Sequence, residues 1–223
     1  MIIYSNGCSH THVHCVDKEN IWSSVIMKNF VNDYYMFISS TNHFNVNLTR
    51  DDNILINESR CGAGNDYILH RSLEGINHLI DNNKKPDYVF IQWSGPNRRQ
   101  HCLPNGEVVN VNLHDNTEYQ VKFEPLGSLH TLHYMYCLQE FLKRENINYY
   151  FFNYMSLDNS IKNSAIYKKL DINRFVDFGL GVDVLTIGLL DNIKKNNMSC
   201  DDLGHPSEEG NQFIANEILK KLK

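Results

Sequence analysis

The chain has 223 residues, of which 42% are hydrophobic and 21% charged, with a formal net charge of −5. That is the size and make-up of one globular domain with a full core. The acidic balance weighs against a dedicated nucleic-acid binder, which would normally carry a basic stripe.

In chain order, MIIYS (1–5) reads as a short buried strand and NIWSSVIMKNF (20–30) as an amphipathic helix. NILINES (53–59) is a second strand, followed by a helix over GNDYILHRSLEGINHLIDNN (64–83). PDYVFIQWS (86–94) is a third strand, strongly apolar and opened by a proline. LGSLHTLHYMYCLQEFLKRENI (126–147) is a long helix and NYYFFNYM (148–155) a fourth strand. PSEEGNQFIANEILKKLK (206–223) closes the chain as a helix with Phe213, Ile214, Ile218, Leu219 and Leu222 on one face. DINRFVDFGLGVDVLTIGLL (171–190) is punctuated by glycine and fits no simple period. Between the third strand and the long helix, residues 103–127 alternate on either side of a central HDN, which predicts an inserted β-hairpin.

Strands alternating with helices imply a parallel sheet covered on both faces, with ligands at the carboxyl ends of the strands. The apolar runs YVFIQW and YYFFNYM are too short to cross a bilayer. The opening residues show neither a basic n-region nor a long apolar run, so no membrane association and a cytoplasmic location are expected. None of the six cysteines forms a C-x-x-C pair, and free thiols are the expected state. The abundance of asparagine reads as a base-composition bias with little chemical content.

The chemistry gathers at the two ends. NGCSHTHVHC (6–15) holds one serine and three histidines at alternate positions. His10 and His12 on one face of a strand would suit a metal-dependent hydrolase. Such enzymes are usually full barrels of about 250 residues or more, and this chain has too few strand–helix units. Alternatively, Gly7 permits a tight turn after the first strand that exposes the Ser9 hydroxyl near the start of a helix. Near the other end, CDDLGHPSEEG (200–210) places Asp202 and His205 three residues apart, just before the last helix. There Asp202 can accept a hydrogen bond from His205 Nδ1–H and leave Nε2 to take the Ser9 proton.

With these residues in view the sequence resembles the SGNH hydrolases, the GDSL-like esterases and lipases. NGCSHT resembles the first block of that family, with Cys8 where aspartate is frequent; NESRCGAGNDYI resembles the second, with Gly62, or else Gly64, as a backbone donor. WSGPNRR resembles the third, through Gly95 and Asn97, with Arg98 where the family usually has aspartate; DDLGHPSEEG matches the last block, D-x-x-H. The resemblance implies a three-layer α/β/α sandwich around a parallel sheet of about five strands, flavodoxin-like, in a single domain spanning 1–223. It implies a serine esterase with Ser9, Asp202 and His205 as triad and an oxyanion hole built from the Ser9 and Gly62 N–H groups and the Asn97 amide. No metal or organic cofactor is called for. The expected substrate is a small-molecule or carbohydrate ester with a short acyl group, acetyl in the first instance, and transfer to an alcohol other than water is the same chemistry. A non-catalytic binding module on this fold and a metal-dependent hydrolase are the alternatives.

Overall fold

The computed structural model describes residues 1–12, 15–38, 53–102, 108–112, 117–179 and 183–223. Five parallel strands form the central sheet: β1 (Ile2–Asn6), β2 (Tyr35–Ile38), β3 (Ile54–Asn57), β4 (Tyr88–Trp93) and β7 (Asn148–Asn153), in the order β2-β3-β1-β4-β7. Two further strands, β5 (Arg98–Cys102) and β6 (Val108–Asn112), pair antiparallel as a separate ribbon. The helices are α1 (Trp22–Phe30), α2 (Asn65–Asp81), α3 (Thr117–Arg144), α4 (Leu190–Lys195) and α5 (Glu208–Leu222).

Successive strand residues point to opposite faces, and the apolar residues of β1, β3, β4 and β7 divide accordingly. Ile2, Tyr4, Ile54, Ile56, Val89, Ile91, Trp93 and Phe151 meet residues of α2 and α3 such as Ile68, Ile76, Leu132 and Met135. Ile3, Leu55, Phe90 and Phe152 meet α1 and α5 through Trp22, Ile26, Met27, Ile214 and Ile218. The expected three-layer α/β/α architecture is therefore present. Counting sheet strands alone, the order is 2-3-1-4-5, whereas flavodoxin has 2-1-3-4-5. Strands β3 and β2 lie to one side of β1 and β4 and β7 to the other. The direction of winding thus reverses between β1 and β4, the place at the carboxyl edge where open α/β sheets bind ligands.

Local signals explain the last helix well. The Ser207 hydroxyl accepts from Gly210 N at 3.2 Å, Glu208 and Glu209 occupy the first turn, and Lys220 and Lys221 the last. Two segments depart from expectation. Strand β2 was not predicted: YMFI is a short run on the sheet edge, with Tyr35 56% exposed and no alternation to mark it. The hairpin is formed by 98–102 and 108–112, and EYQVKFE, expected as its second arm, lies in the first turns of α3 instead. Residues Tyr119, Val121 and Phe123 mimic a two-residue period, but Glu118, Gln120, Lys122 and Glu124 are helix formers. The HDN centre falls outside the described residues.

Replacing Ile3 by Ala should destabilise the protein by about 2–5 kcal/mol, because this fully buried residue packs under α1 and α5. Tyr35→Ser on the exposed edge should stay within about 0.5 kcal/mol. Urea unfolding of both variants checks the contrast.

Candidate active site

The chain leaves β1 into a compact turn in which Thr11 N and His12 N both bond Cys8 O, at 3.0 and 3.2 Å. The Thr11 hydroxyl anchors this turn to Gln92 of β4. Helix α1 begins only at Trp22, so the Ser9 turn does not run directly into a helix, as the sequence suggested. Ser9 and His10 are both buried.

Buried asparagines fix the neighbouring loops. Asn6 Nδ2 donates to Ile68 O (3.2 Å) and Ser72 Oγ (3.0 Å) of α2, and Asn6 Oδ1 accepts from Gly7 N (2.7 Å). Asn57, ending β3, donates to Thr11 O at 3.0 Å and accepts from Ser59 N at 3.0 Å. Asn65, the first residue of α2, accepts from Ser94 N (2.7 Å) and donates to Ser94 O (3.1 Å) and Thr131 Oγ1 (2.9 Å). The loop carrying Gly62 is thereby held against the end of β4. Gly62 adopts φ 75°, a left-handed conformation that suits glycine, while Gly64 serves as the N-cap of α2. Beneath this loop Glu58 accepts from Tyr4 Oη (2.5 Å) and Arg71 (2.7 Å). Burial raises the Glu58 carboxyl above its usual range despite these partners.

Among the described residues, no hydrogen bond takes up the N–H of Ser9, the N–H of Gly62 or the side-chain amide of Asn97. Asn97 is buried, and its Oδ1 is sealed from solvent with no donor. Arg98, next along, extends Nη1 to Ser94 Oγ at 3.4 Å.

The other half of the site is the loop before α5. Gly204 N bonds Asp201 O at 3.1 Å and Cys200 N bonds His205 O at 2.8 Å, with Gly204 at φ 83°. This turn folds the Asp201 carboxylate back onto His205. Asp201 Oδ1 accepts from His205 N at 3.0 Å, and Oδ2 lies 2.5 Å from His205 Nδ1. Asp202, the expected partner, occupies the outer corner of the turn and is exposed. The carboxylate on His205 is therefore Asp201, one residue earlier than the D-x-x-H spacing predicts. Burial alone would raise the Asp201 carboxyl, but the His205 ring and backbone N–H outweigh it and hold it below its usual range.

His10 joins the two halves. Its ring stacks on His205 with centroids 4.5 Å apart, and its Nδ1 lies 3.5 Å from Ser9 Oγ and 3.0 Å from Cys8 Sγ. Ser9 Oγ and the His205 ring are thus both neighbours of His10. His12 turns away, its Nδ1 3.8 Å from Cys61 Sγ, and His14 lies outside the described residues. Among the described residues the one cluster of metal-ligating type is Cys15, Cys200 and Asp201, and it includes neither His10 nor His12. Cys15 and Cys200 form a disulfide, contrary to the free thiols expected, with Cα atoms 6.4 Å apart. It ties the segment after the Ser9 turn to the residue preceding Asp201. Cys8, Cys61 and Cys137 are unpaired.

No family model and no curated protein matches the sequence. Solved structures do match along the whole chain. TesA aligns with a TM-score of 0.58 at 12% identity, covering 100% of this chain and 98% of its own. A protein of Desulfitobacterium hafniense DCB-2, described as lipolytic and of the G-D-S-L family, gives 0.53 at 13%, covering 99% and 98%. The fold is the one these two structures share. The acetyl xylan esterase AlAXEase gives 0.54 at 15% identity, with both chains fully covered. On this fold the blocks quoted from the sequence fall at the carboxyl edge of the sheet: Ser9 after β1, Gly62 after β3 and Asn97 after β4. His205 lies just before α5.

The depressed Asp201 carboxyl has a consequence for stability. A group whose folded pKa is lowered stabilises the protein above its unfolded value, and that contribution disappears as pH falls through the folded one. Asp201→Asn should therefore lower Tm at neutral pH, and the gap from wild type should narrow as pH falls through and below the carboxylate range. Asp202→Asn, at an exposed position, should follow the wild-type curve. Thermal melts from pH 2 to 8 test both.

Proposed function

We propose that the chain is a serine esterase that works through an acyl-enzyme. The observation that carries this reading is the His205–Asp201 pair against the His10 ring that also neighbours Ser9, with Ser9, Gly62 and Asn97 following three adjacent strands of the sheet. In the proposed reaction Ser9 Oγ attacks the ester carbonyl while His205 Nε2 takes its proton. Asp201 holds Nδ1–H, so the imidazole keeps the right tautomer and its cation is stabilised. Negative charge on the former carbonyl oxygen is met by the N–H groups of Ser9 and Gly62 and by Asn97 Nδ2. His205 then gives its proton to the departing alcohol. Water, activated by the same ring, hydrolyses the acyl-serine and regenerates the hydroxyl.

Preformed donors that the protein itself leaves unpaired suit a charge that exists only in the transition state. The neighbouring fold of an acetyl xylan esterase supports a short acyl group, acetyl first, on a polar or carbohydrate carrier. We take the whole chain as one catalytic domain. The β5–β6 ribbon begins directly after Asn97 and is placed to shape which carriers fit. No helix among the described residues is long and apolar enough to span a membrane. The disulfide belongs to oxidising compartments, which weighs against the cytoplasmic location expected from the sequence.

The protein should hydrolyse a short-chain aryl acetate and be labelled by a fluorophosphonate at Ser9. Ser9→Ala and His205→Ala should each lose on the order of 10³-fold or more in kcat, because the members act as a unit. Labelling at another serine, or full activity in Ser9→Ala, would overturn the reading. The two aspartates separate sharply: Asp201→Ala should lose activity steeply, whereas Asp202→Ala should keep most of it. Asn97→Ala should lower kcat by about 10²- to 10³-fold with little change in KM; an unchanged kcat would remove Asn97 from the oxyanion hole.

A further inference from the structure

Resting on that reading of the site, we propose that His10 is a positioning residue, the middle ring of a three-ring stack that holds the imidazole of His205 in its working orientation. One face of His10 lies on Tyr154, with centroids 3.4 Å apart and planes 21° apart. Its other contact is the His205 ring, at 4.5 Å and 23°. Tyr154 follows the last sheet strand and is 1% exposed, so it provides a fixed wall. Its hydroxyl also donates to Gly204 O, immediately before His205 in the chain. The loop that carries His205 is therefore fastened to the same wall twice, once through its backbone and once through the rings.

This arrangement meets a specific need. The Asp201 bond fixes one ring nitrogen of His205 but leaves the ring free to rock about that contact, which would swing Nε2 away from Ser9. A flat partner stacked on the ring opposes the rocking. Only a neutral ring can serve beside a group that becomes cationic during the reaction, and His10 meets that condition. Burial, then the neighbouring His205 and Arg98, depress its proton affinity well below the usual histidine value, against smaller opposing effects of the Leu203 backbone and Asp201. The edge of the His10 ring meets Cys8 Sγ and Ser9 Oγ through Nδ1, at 3.0 and 3.5 Å, which leaves the faces of the ring to Tyr154 and His205. The His10 plane is tilted by only 21° from Tyr154 and 23° from His205, so it is stacked on both rings.

Three variants test the assignment. His10→Ala removes the middle ring, His10→Phe keeps a ring without nitrogens, and Tyr154→Leu removes the wall while leaving His10. Each is read by aryl-acetate kinetics, thermal melting, and the low-field proton NMR signal of the His205 Nδ1–H···Asp201 bond. A misplacement of about 1 Å costs on the order of 10²-fold in rate, so His10→Ala and Tyr154→Leu should lose about 10- to 100-fold in kcat with KM nearly constant. The low-field signal should broaden or vanish in both. His10→Phe should recover kcat to within about threefold of wild type and restore the sharp signal. Wild-type kcat and a sharp signal in folded His10→Ala would overturn the proposal. So would a folded His10→Phe as impaired as His10→Ala, since the ring nitrogens rather than the stack would then be at work. If no variant, wild type included, hydrolyses esters, the esterase reading fails instead, and the NMR signal alone decides whether the stack orients His205.

Discussion

Buried side-chain amides at the carboxyl edge of the sheet are the constraint on which the site depends. A parallel sheet orders its strands through backbone ladders, but the loops that leave it have no ladder of their own. Their polar backbone groups still need partners once water is excluded. Asparagine supplies a donor and an acceptor on a short, stiff side chain. Asn6 ties the end of β1 to α2, Asn57 ties the end of β3 to the Ser9 turn, and Asn65 ties the start of α2 to the end of β4. Breaking any of these bonds leaves a buried group unsatisfied, at a cost of about 1–3 kcal/mol. The three loops are therefore fixed relative to one another before a substrate arrives.

Against that background the unpaired groups gain meaning. Asn65 and Asn97 are both shielded, at 2% and 5% exposure. Asn65 uses both ends of its amide within the protein, whereas among the described residues nothing donates to the buried Oδ1 of Asn97. Local departures from the rule that buried polar groups are paired gather at working sites. The His205 loop adds the complementary constraint. Its backbone bonds, the disulfide beside it and the Tyr154–His10 stack all act on a few residues, and together they set where the His205 ring stands.

Much of the architecture was legible in the sequence because strand and helix periods are local signals. The four apolar runs and the capped final helix declare themselves in this way. Strand β2 did not, since four residues on a sheet edge carry no pattern of their own, and residues 117–124 satisfied two periods at once. The two ends of the chain pointed to Ser9 and His205 through turn chemistry and motif. Choosing between Asp201 and Asp202 required the turn closed by Gly204, which places the first aspartate inward and the second outward. The role of asparagine was misread from composition alone, because an amide clamp is recognisable only when both partners are in place. The stack of His10 on His205 was equally hidden: it joins residues 195 positions apart, and no local spacing encodes it.

The most direct measurement is a crystal structure of the protein after reaction with a small alkyl fluorophosphonate, which leaves a tetrahedral phosphonyl group as a stand-in for the intermediate. The account predicts phosphorus bonded to Ser9 Oγ. The phosphonyl oxygen should lie within hydrogen-bond distance of the Ser9 and Gly62 N–H groups and Asn97 Nδ2, with Asp201 still on His205 Nδ1 and His10 stacked behind it. A phosphonyl oxygen turned to solvent while those three donors remain empty, or an adduct on any other residue, would contradict it.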